Sequence, residues 1–244
     1  MKKIYVLIGN FGSGKTELAM NFAFEAAQSG NTLLLDLDMV NTYFRLSEYR
    51  SLFDEAGIKL ISPNYAMTNV ETLSLPPEVN SAFHMDWDTV VFDVGGDPAG
   101  ATALGRFKSD FDELAPGQLE VLNVINVRRP MSGTPDKIIA LMSEMEQNSR
   151  LKVTGLVNNT NLAAMTGSDE LRAGYLVLRE VSSKTGIPVM YTAGKKRFLE
   201  AFLNEDPDMS YVGTPKVIDI HMRRDWDSFV KFASRGPLGR RGEI

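Results

Sequence analysis

The chain has 244 residues, 43% hydrophobic and 23% charged, and Asp and Glu outnumber Lys and Arg by 31 to 26 for a net charge of −5. This balance excludes a disordered or fibrous class and argues against broad non-specific nucleic-acid binding, while the length suits one large α/β domain. With no cysteine, disulfides, thiolate-held iron–sulfur clusters and Cys nucleophiles are excluded.

Taken in order, the apolar run Ile4-Tyr5-Val6-Leu7-Ile8 reads as a buried strand, and Thr16 to Gln28 has helical spacing until Gly30-Asn31 stops it. Thr32 to Asp38 reads as a strand ending in two carboxylates, Tyr43 to Ala56 as a helix, and Ile58 to Ile61 as a short strand. Residues 62 to 87, broken by Pro63, Pro76 and Pro77, read mostly as loop with a short helix near Val70 to Leu73. Thr89 to Asp93 is a continuous apolar strand that runs through Val94-Gly95-Gly96-Asp97-Pro98 into a helix over Ala99 to Leu114. Then come a strand over Leu119 to Val127, a helix over Pro135 to Asn148, a strand over Lys152 to Asn158 and a helix over Gly167 to Thr185. A strand over Pro188 to Thr192, a helix over Lys195 to Leu203 and a last helix over Arg223 to Ser234 complete the pattern.

Strands that are apolar on both faces and alternate with helices predict a mostly parallel sheet with helices on both sides, a three-layer α/β sandwich. The strand carboxyl ends then share one edge, where ligands of such sheets bind. One domain is expected over residues 1–234, with a flexible basic tail over 235–244. Met1-Lys2-Lys3 leads straight into the first strand, and no apolar run nears the roughly 18 residues of a spanning helix, so a cytoplasmic protein without signal peptide is expected.

Between the first strand and the first helix lies Gly9-Asn10-Phe11-Gly12-Ser13-Gly14-Lys15-Thr16, which fits G-x-x-x-x-G-K-[ST] at every fixed position. In strand–loop–helix context this is a phosphate-binding loop: several backbone N–H groups converge on one anion, and the helix N-terminus adds roughly half a positive charge. Lys15 would reach the β and γ phosphates, and Thr16 would offer its hydroxyl to a magnesium ion. Asp93 at its strand end is placed to hold the same ion, and Gly96 to let a bare backbone N–H approach a γ phosphate. Asp36, a candidate magnesium ligand, and Asp38 are expected to point apart and need not share a role: a carboxylate near the magnesium's outer shell and one positioning the attacking water are the two jobs left open.

These motifs, with Val40-Asn41 and the strand Gly155-Leu156-Val157-Asn158, resemble the MinD and ParA-type ATPases of the SIMIBI class of P-loop proteins over roughly residues 1 to 195. The resemblance implies that Asp38 orients water, that Asp93 lies in the magnesium shell, and that Asn158 contacts adenine. It implies ATP rather than GTP, since the Asn-Lys-x-Asp pattern of many GTPases is replaced by Asn158-Asn159-Thr160-Asn161. The chain departs from the family at Asn10, where a lysine usually reaches across a dimer to the partner's nucleotide. A neutral amide cannot supply that charge, which favours binding or slow switching over fast hydrolysis in a nucleotide-sandwich homodimer. Arg45 is a candidate substitute.

The expected function is therefore a magnesium-dependent ATP-binding protein, a slow ATPase acting as a switch or accessory factor for a protein partner. A P-loop small-molecule kinase or ligase-like enzyme, with an acceptor pocket from residues 62–87 or 160–170, and a nucleotide-binding module without turnover remain as alternatives. His84 and His221 have no metal-ligand spacing. Lys195-Lys196-Arg197 is expected near the nucleotide edge. The last helix carries Trp226, Phe229, Val230 and Ala233 on one stripe, suited to packing on the sheet more than to a membrane surface. Met142 and Met145 read as core.

Overall fold

The computed structural model describes residues 2–38, 46–62 and 77–222. Eight strands form one sheet: β1 (Lys3–Ile8), β2 (Thr32–Leu37), β3 (Ile58–Ile61), β4 (Thr89–Val94), β5 (Leu119–Ile125), β6 (Gly155–Asn158), β7 (Val189–Gly194) and β8 (Thr214–Val217). Their order is β3-β2-β4-β1-β5-β6-β7-β8, and every neighbouring pair is parallel. The expected "mostly parallel" sheet is thus wholly parallel among the described residues. The main helices are α1 (Lys15–Ala27), α2 (Arg50–Glu55), α3 (Ser81–His84), α4 (Pro98–Leu104), α5 (Lys108–Asp112), α6 (Pro135–Ser149), α7 (Ser168–Thr185) and α8 (Lys196–Leu203).

The two-residue period of the strands divides the core. Leu7, Leu34, Val91, Leu122 and Val157 pack with Leu18, Ala19 and Phe22 of α1 and with Phe53 of α2. Val6, Ile8, Leu35, Phe92 and Val121 face the other layer, against Phe111 of α5, Ile138, Met142 and Met145 of α6, and Leu178 and Val181 of α7. Both faces of the central strands are buried, as parallel sheets require. A smaller apolar cluster, Leu171, Tyr175, Leu199, Phe202 and Val212, joins α7 to α8. Among the described residues, no helix is long and apolar enough to cross a membrane.

Several boundaries differ from the sequence reading. The helix expected over 43–56 is a short 3-10 turn, Leu46–Tyr49, followed by α2, and the helix expected over 99–114 is broken into α4, a 3-10 turn at Gly105–Phe107, and α5. The supposed loop over 62–87 ends in a 3-10 turn at Pro77–Asn80 and in α3. Strand β8 was not expected from the sequence. Its residues Thr-Pro-Lys-Val are largely exposed, and Pro215 is tolerated because β8 is an edge strand. Arg45, the helix near Val70, the helix over 223–234 and the tail lie outside the described residues.

Candidate functional site

The loop Gly9 to Gly14 leaves β1 hard against β5. Gly9 has φ 144°, and a Cβ there would lie 2.3 Å from the Val124 carbonyl oxygen, so no side chain fits. Lys15 opens α1 and is 6% exposed; its ammonium donates to the carbonyls of Gly9 (3.0 Å) and Asn10 (3.1 Å). Burial holds this ammonium below its ordinary pKa, opposed by the charges of Asp93, Asp38 and Asp97. The Ser13 hydroxyl is fully buried without a hydrogen-bond partner.

Strand register brings the acids together. Asp36 on β2 pairs with Asp93 on β4, and both lie at strand carboxyl ends on the face that α1 covers. The expected divergence of Asp36 and Asp38 is corrected by geometry. Residues two apart on a strand share a face, and since β2 ends at Leu37, Asp38 opens the following loop, its N–H donating to the Asp36 carboxylate at 3.0 Å. Asp93 is 1% exposed, and neither carboxylate oxygen has a hydrogen bond of good geometry, although the Thr16 hydroxyl lies close enough to lower its pKa. Burial first, and the Asp36 charge second, push Asp93 up from 3.8 to about 8, with Lys15 opposing.

A buried, orphaned carboxylate beside a second carboxylate and a threonine hydroxyl is a site short of a cation. Among the described residues no three acidic or histidine side chains gather closely enough to hold a metal alone. Magnesium fits this set, because it takes one or two carboxylates and completes its shell with water and phosphate oxygens. Thr16, Asp93 and Asp36 are the residues that would hold it.

Gly96 sits where the turn after β4 meets the phosphate loop: a Cβ there would lie 2.6 Å from the Phe11 nitrogen and 2.8 Å from its Cα. Asp97, which the sequence reading passed over, accepts the Gly100 N–H at 3.0 Å at the start of α4 and contributes to the field at Lys15. Its signal was available, as an Asp before a Pro-led helix is a capping residue.

A cavity of about 1120 Å³ opens over this edge, lined by Asn10, Phe11, Gly12, Gly14, Lys15, Thr16 and Asp38. Asn159, Thr160, Asn161, Ala193, Gly194, Lys195 and Phe198 line it as well, so Lys195 reaches the same cavity as the loop. Asn158 does not line it. As the end of β6 it is 1% exposed, its amide donates to the Leu171 carbonyl of α7 at 2.9 Å, and its carbonyl accepts from the Thr160 N–H at 3.2 Å. Its neighbour Asn159 donates to the Ser13 carbonyl at 2.8 Å, tying the strand end to the phosphate loop. The segment after β8 closes one side through Ile218, Ile220 and Met222. It is strapped to α1 by Asn21, bonded both ways to Asp219 at 2.8–2.9 Å, and by Glu17, which accepts the N–H groups of His221 and Met222.

An all-parallel sheet with a G-x-x-x-x-G-K-[ST] loop between β1 and α1 defines a P-loop NTPase-like α/β fold. No family model and no curated protein matches the chain. Among solved structures it is similar to the cell division protein FtsY of Thermotoga maritima, with TM-score 0.56 and 15% identity, covering 79% of this chain and 62% of that one. It is also similar to chloroplast FtsY of Physcomitrella patens (TM-score 0.52, 19% identity, 79% and 58% covered) and to FtsY of Mycoplasma mycoides (0.51, 16%, 81% and 61%). The chain thus spans about three fifths of the length of these structures. At such identity the likeness is one of fold, and none of the three is a MinD or ParA-type ATPase.

Proposed function

We propose that the chain binds a magnesium purine nucleoside triphosphate in this cavity and hydrolyses it slowly, as a switch for a protein partner. The observation that carries the reading is Asp93, buried without hydrogen bonds and forced to about pKa 8 beneath Lys15 and Thr16, where a bound cation would restore its ordinary ionisation. Bound magnesium would neutralise charge on the β and γ phosphates. In the proposed reaction, water held by Asp38 attacks the γ phosphorus, and the bond to the bridging oxygen breaks. The products are nucleoside diphosphate and inorganic phosphate, which takes up the water's proton. Lys15 turns from the loop carbonyls to the phosphates, and the Gly96 turn registers whether the γ phosphate is present.

The base assignment moves from ATP toward GTP. The adenine contact expected at Asn158 has no support in a side chain that does not line the cavity, and FtsY of Elizabethkingia anophelis, a fold relative at 17% identity, is known in complex with GDP. Asn161 stands in the strand-end run where guanine-reading loops carry an Asp. With its amide already bonded to the Asn159 carbonyl (2.8 Å) and the Ala163 N–H (3.3 Å), sharp discrimination between purines is not expected. A protein partner is favoured by the rim, where Phe11, Met131 and Met165 are 63%, 57% and 78% exposed. Sedimentation with and without nucleotide separates a second copy of this chain from another protein as that partner.

Isothermal titration with GTP and ATP in magnesium tests the site. Wild type should bind at least one of them and Lys15→Ala should bind neither; unchanged affinity in the variant would overturn the assignment. Phosphate release without any acceptor distinguishes the switch from a kinase, and its absence over hours under single-turnover conditions selects the module without turnover.

A further inference from the structure

The short segment after β5 lies directly on the phosphate loop. The Asn10 amide donates to the Ser132 hydroxyl at 3.4 Å, and the Arg129 Nε donates to the Gly12 carbonyl at 2.9 Å. Arg129 lines the cavity, and its Nε is the atom closest to where a Gly12 Cβ would stand. The turn that presents it is fixed from beneath. Asn126 is fully buried; its side chain accepts the Arg128 N–H at 3.0 Å and donates to the Asn161 carbonyl at 3.1 Å, while its carbonyl accepts the Arg129 N–H at 3.1 Å. The Arg129 carbonyl accepts the Ser132 N–H at 2.9 Å.

The two adjacent arginines are treated differently. Arg128 is drawn away to Glu170 of α7, 3.3 Å off. Among the described residues, no carboxylate forms an ion pair with Arg129. One nitrogen of its planar guanidinium is anchored on the loop that would wrap the phosphates, which leaves two terminal amino groups for a further acceptor at the cavity wall. The other cation of the loop, Lys15, is buried and single. A fork of this kind suits phosphate oxygens, which it meets with two parallel hydrogen bonds.

We infer that Arg129 is a phosphate-contacting residue, the cation that this chain supplies from within itself to the triphosphate tail. The inference rests on the nucleotide-binding reading above. Because Asn10 fastens the segment that carries Arg129, the neutral side chain at the loop's second position and the arginine at its flank form one device. No charge from a partner is then needed for turnover.

The test compares wild type, Arg129→Gln, Arg129→Lys and the matched control Arg128→Gln. Each is titrated with a non-hydrolysable triphosphate and with the diphosphate, assayed for single-turnover hydrolysis, and melted without nucleotide. Arg129→Gln should lose about 10-fold or more in triphosphate affinity relative to diphosphate and about 100-fold or more in hydrolysis rate. Arg129→Lys, which keeps the charge and loses the fork, should fall between, and Arg128→Gln should keep the wild-type affinity ratio. A lowered melting temperature with an unchanged triphosphate-to-diphosphate ratio would make Arg129 a mere clamp on the loop and overturn the inference while leaving the nucleotide site standing. Wild type that binds neither nucleotide would sink the nucleotide reading itself, and this inference with it.

Discussion

Asp93→Asn is expected to stabilise the nucleotide-free protein while removing its function. The carboxyl is 1% exposed, its oxygens are without good hydrogen bonds, and its folded pKa is about 8 against an ordinary 3.8. The folded chain therefore holds a proton that the unfolded chain releases between these values. Stability from this group is complete below pH 3.8 and is lost as pH rises through about 8. At roughly 1.4 kcal/mol per pKa unit, keeping the proton at pH 7 costs on the order of 4 kcal/mol. Asparagine removes this titration, although its own buried amide gives back part of the gain, so a net stabilisation of about 2 kcal/mol is expected near neutrality. In a chain of this length that is a rise of about 4 °C or more in Tm. Thermal melts in chelator from pH 4.5 to 8.5 should show the variant pulling ahead of wild type as pH increases, whereas magnesium and nucleotide should stabilise wild type alone. A pH-independent gap, or a variant less stable than wild type at pH 8, would refute the account of Asp93 as an uncompensated carboxyl.

Gly96→Ala would drive a methyl group into the backbone of Phe11, 2.6 Å away, and overpacking of this kind costs about 1–3 kcal/mol. Calorimetric titration should show triphosphate affinity falling about 10-fold while diphosphate affinity holds. Asn21→Ala would leave the N–H and C=O of Asp219 without partners, a loss of about 1–2 kcal/mol visible in melts and in faster proteolysis beyond Ile218.

The fold was legible because its physics is local. Continuous apolar strands, helical periods and glycine stops gave the parallel sheet, and the phosphate loop located its binding edge. What escaped depends on the third dimension. Strand β8 is polar and carries Pro215, so only its position at the sheet edge makes it a strand. Asn158 matches a base-contact motif by spacing, yet its side chain serves α7, where Gly174 leaves room for it. Arg129 belongs to no motif. Its place over Gly12 follows from β5 lying beside β1, a pairing of segments about a hundred residues apart in sequence.

The same pairing explains how one edge can be rigid and responsive at once. From the β5 and β6 side the phosphate loop is held by three side-chain hydrogen bonds: Asn10 to Ser132, Arg129 to Gly12, and Asn159 to Ser13. Asn126 links the two clamping segments to each other through Asn161. The loop and the segments after β5 and β6 that line the cavity with it are therefore tied into one preorganised body, which lowers the ordering cost of binding. On the β4 side the Gly96 turn meets the loop by close packing, and Asp93, raised by burial and by Asp36, keeps a proton that a bound cation would displace. Binding energy delivered to a clamped half and to a half whose protonation it changes shifts the second. The signal to a partner should therefore leave through the segment after β4, and loosening the Arg129 clamp should blunt it by letting the loop itself yield.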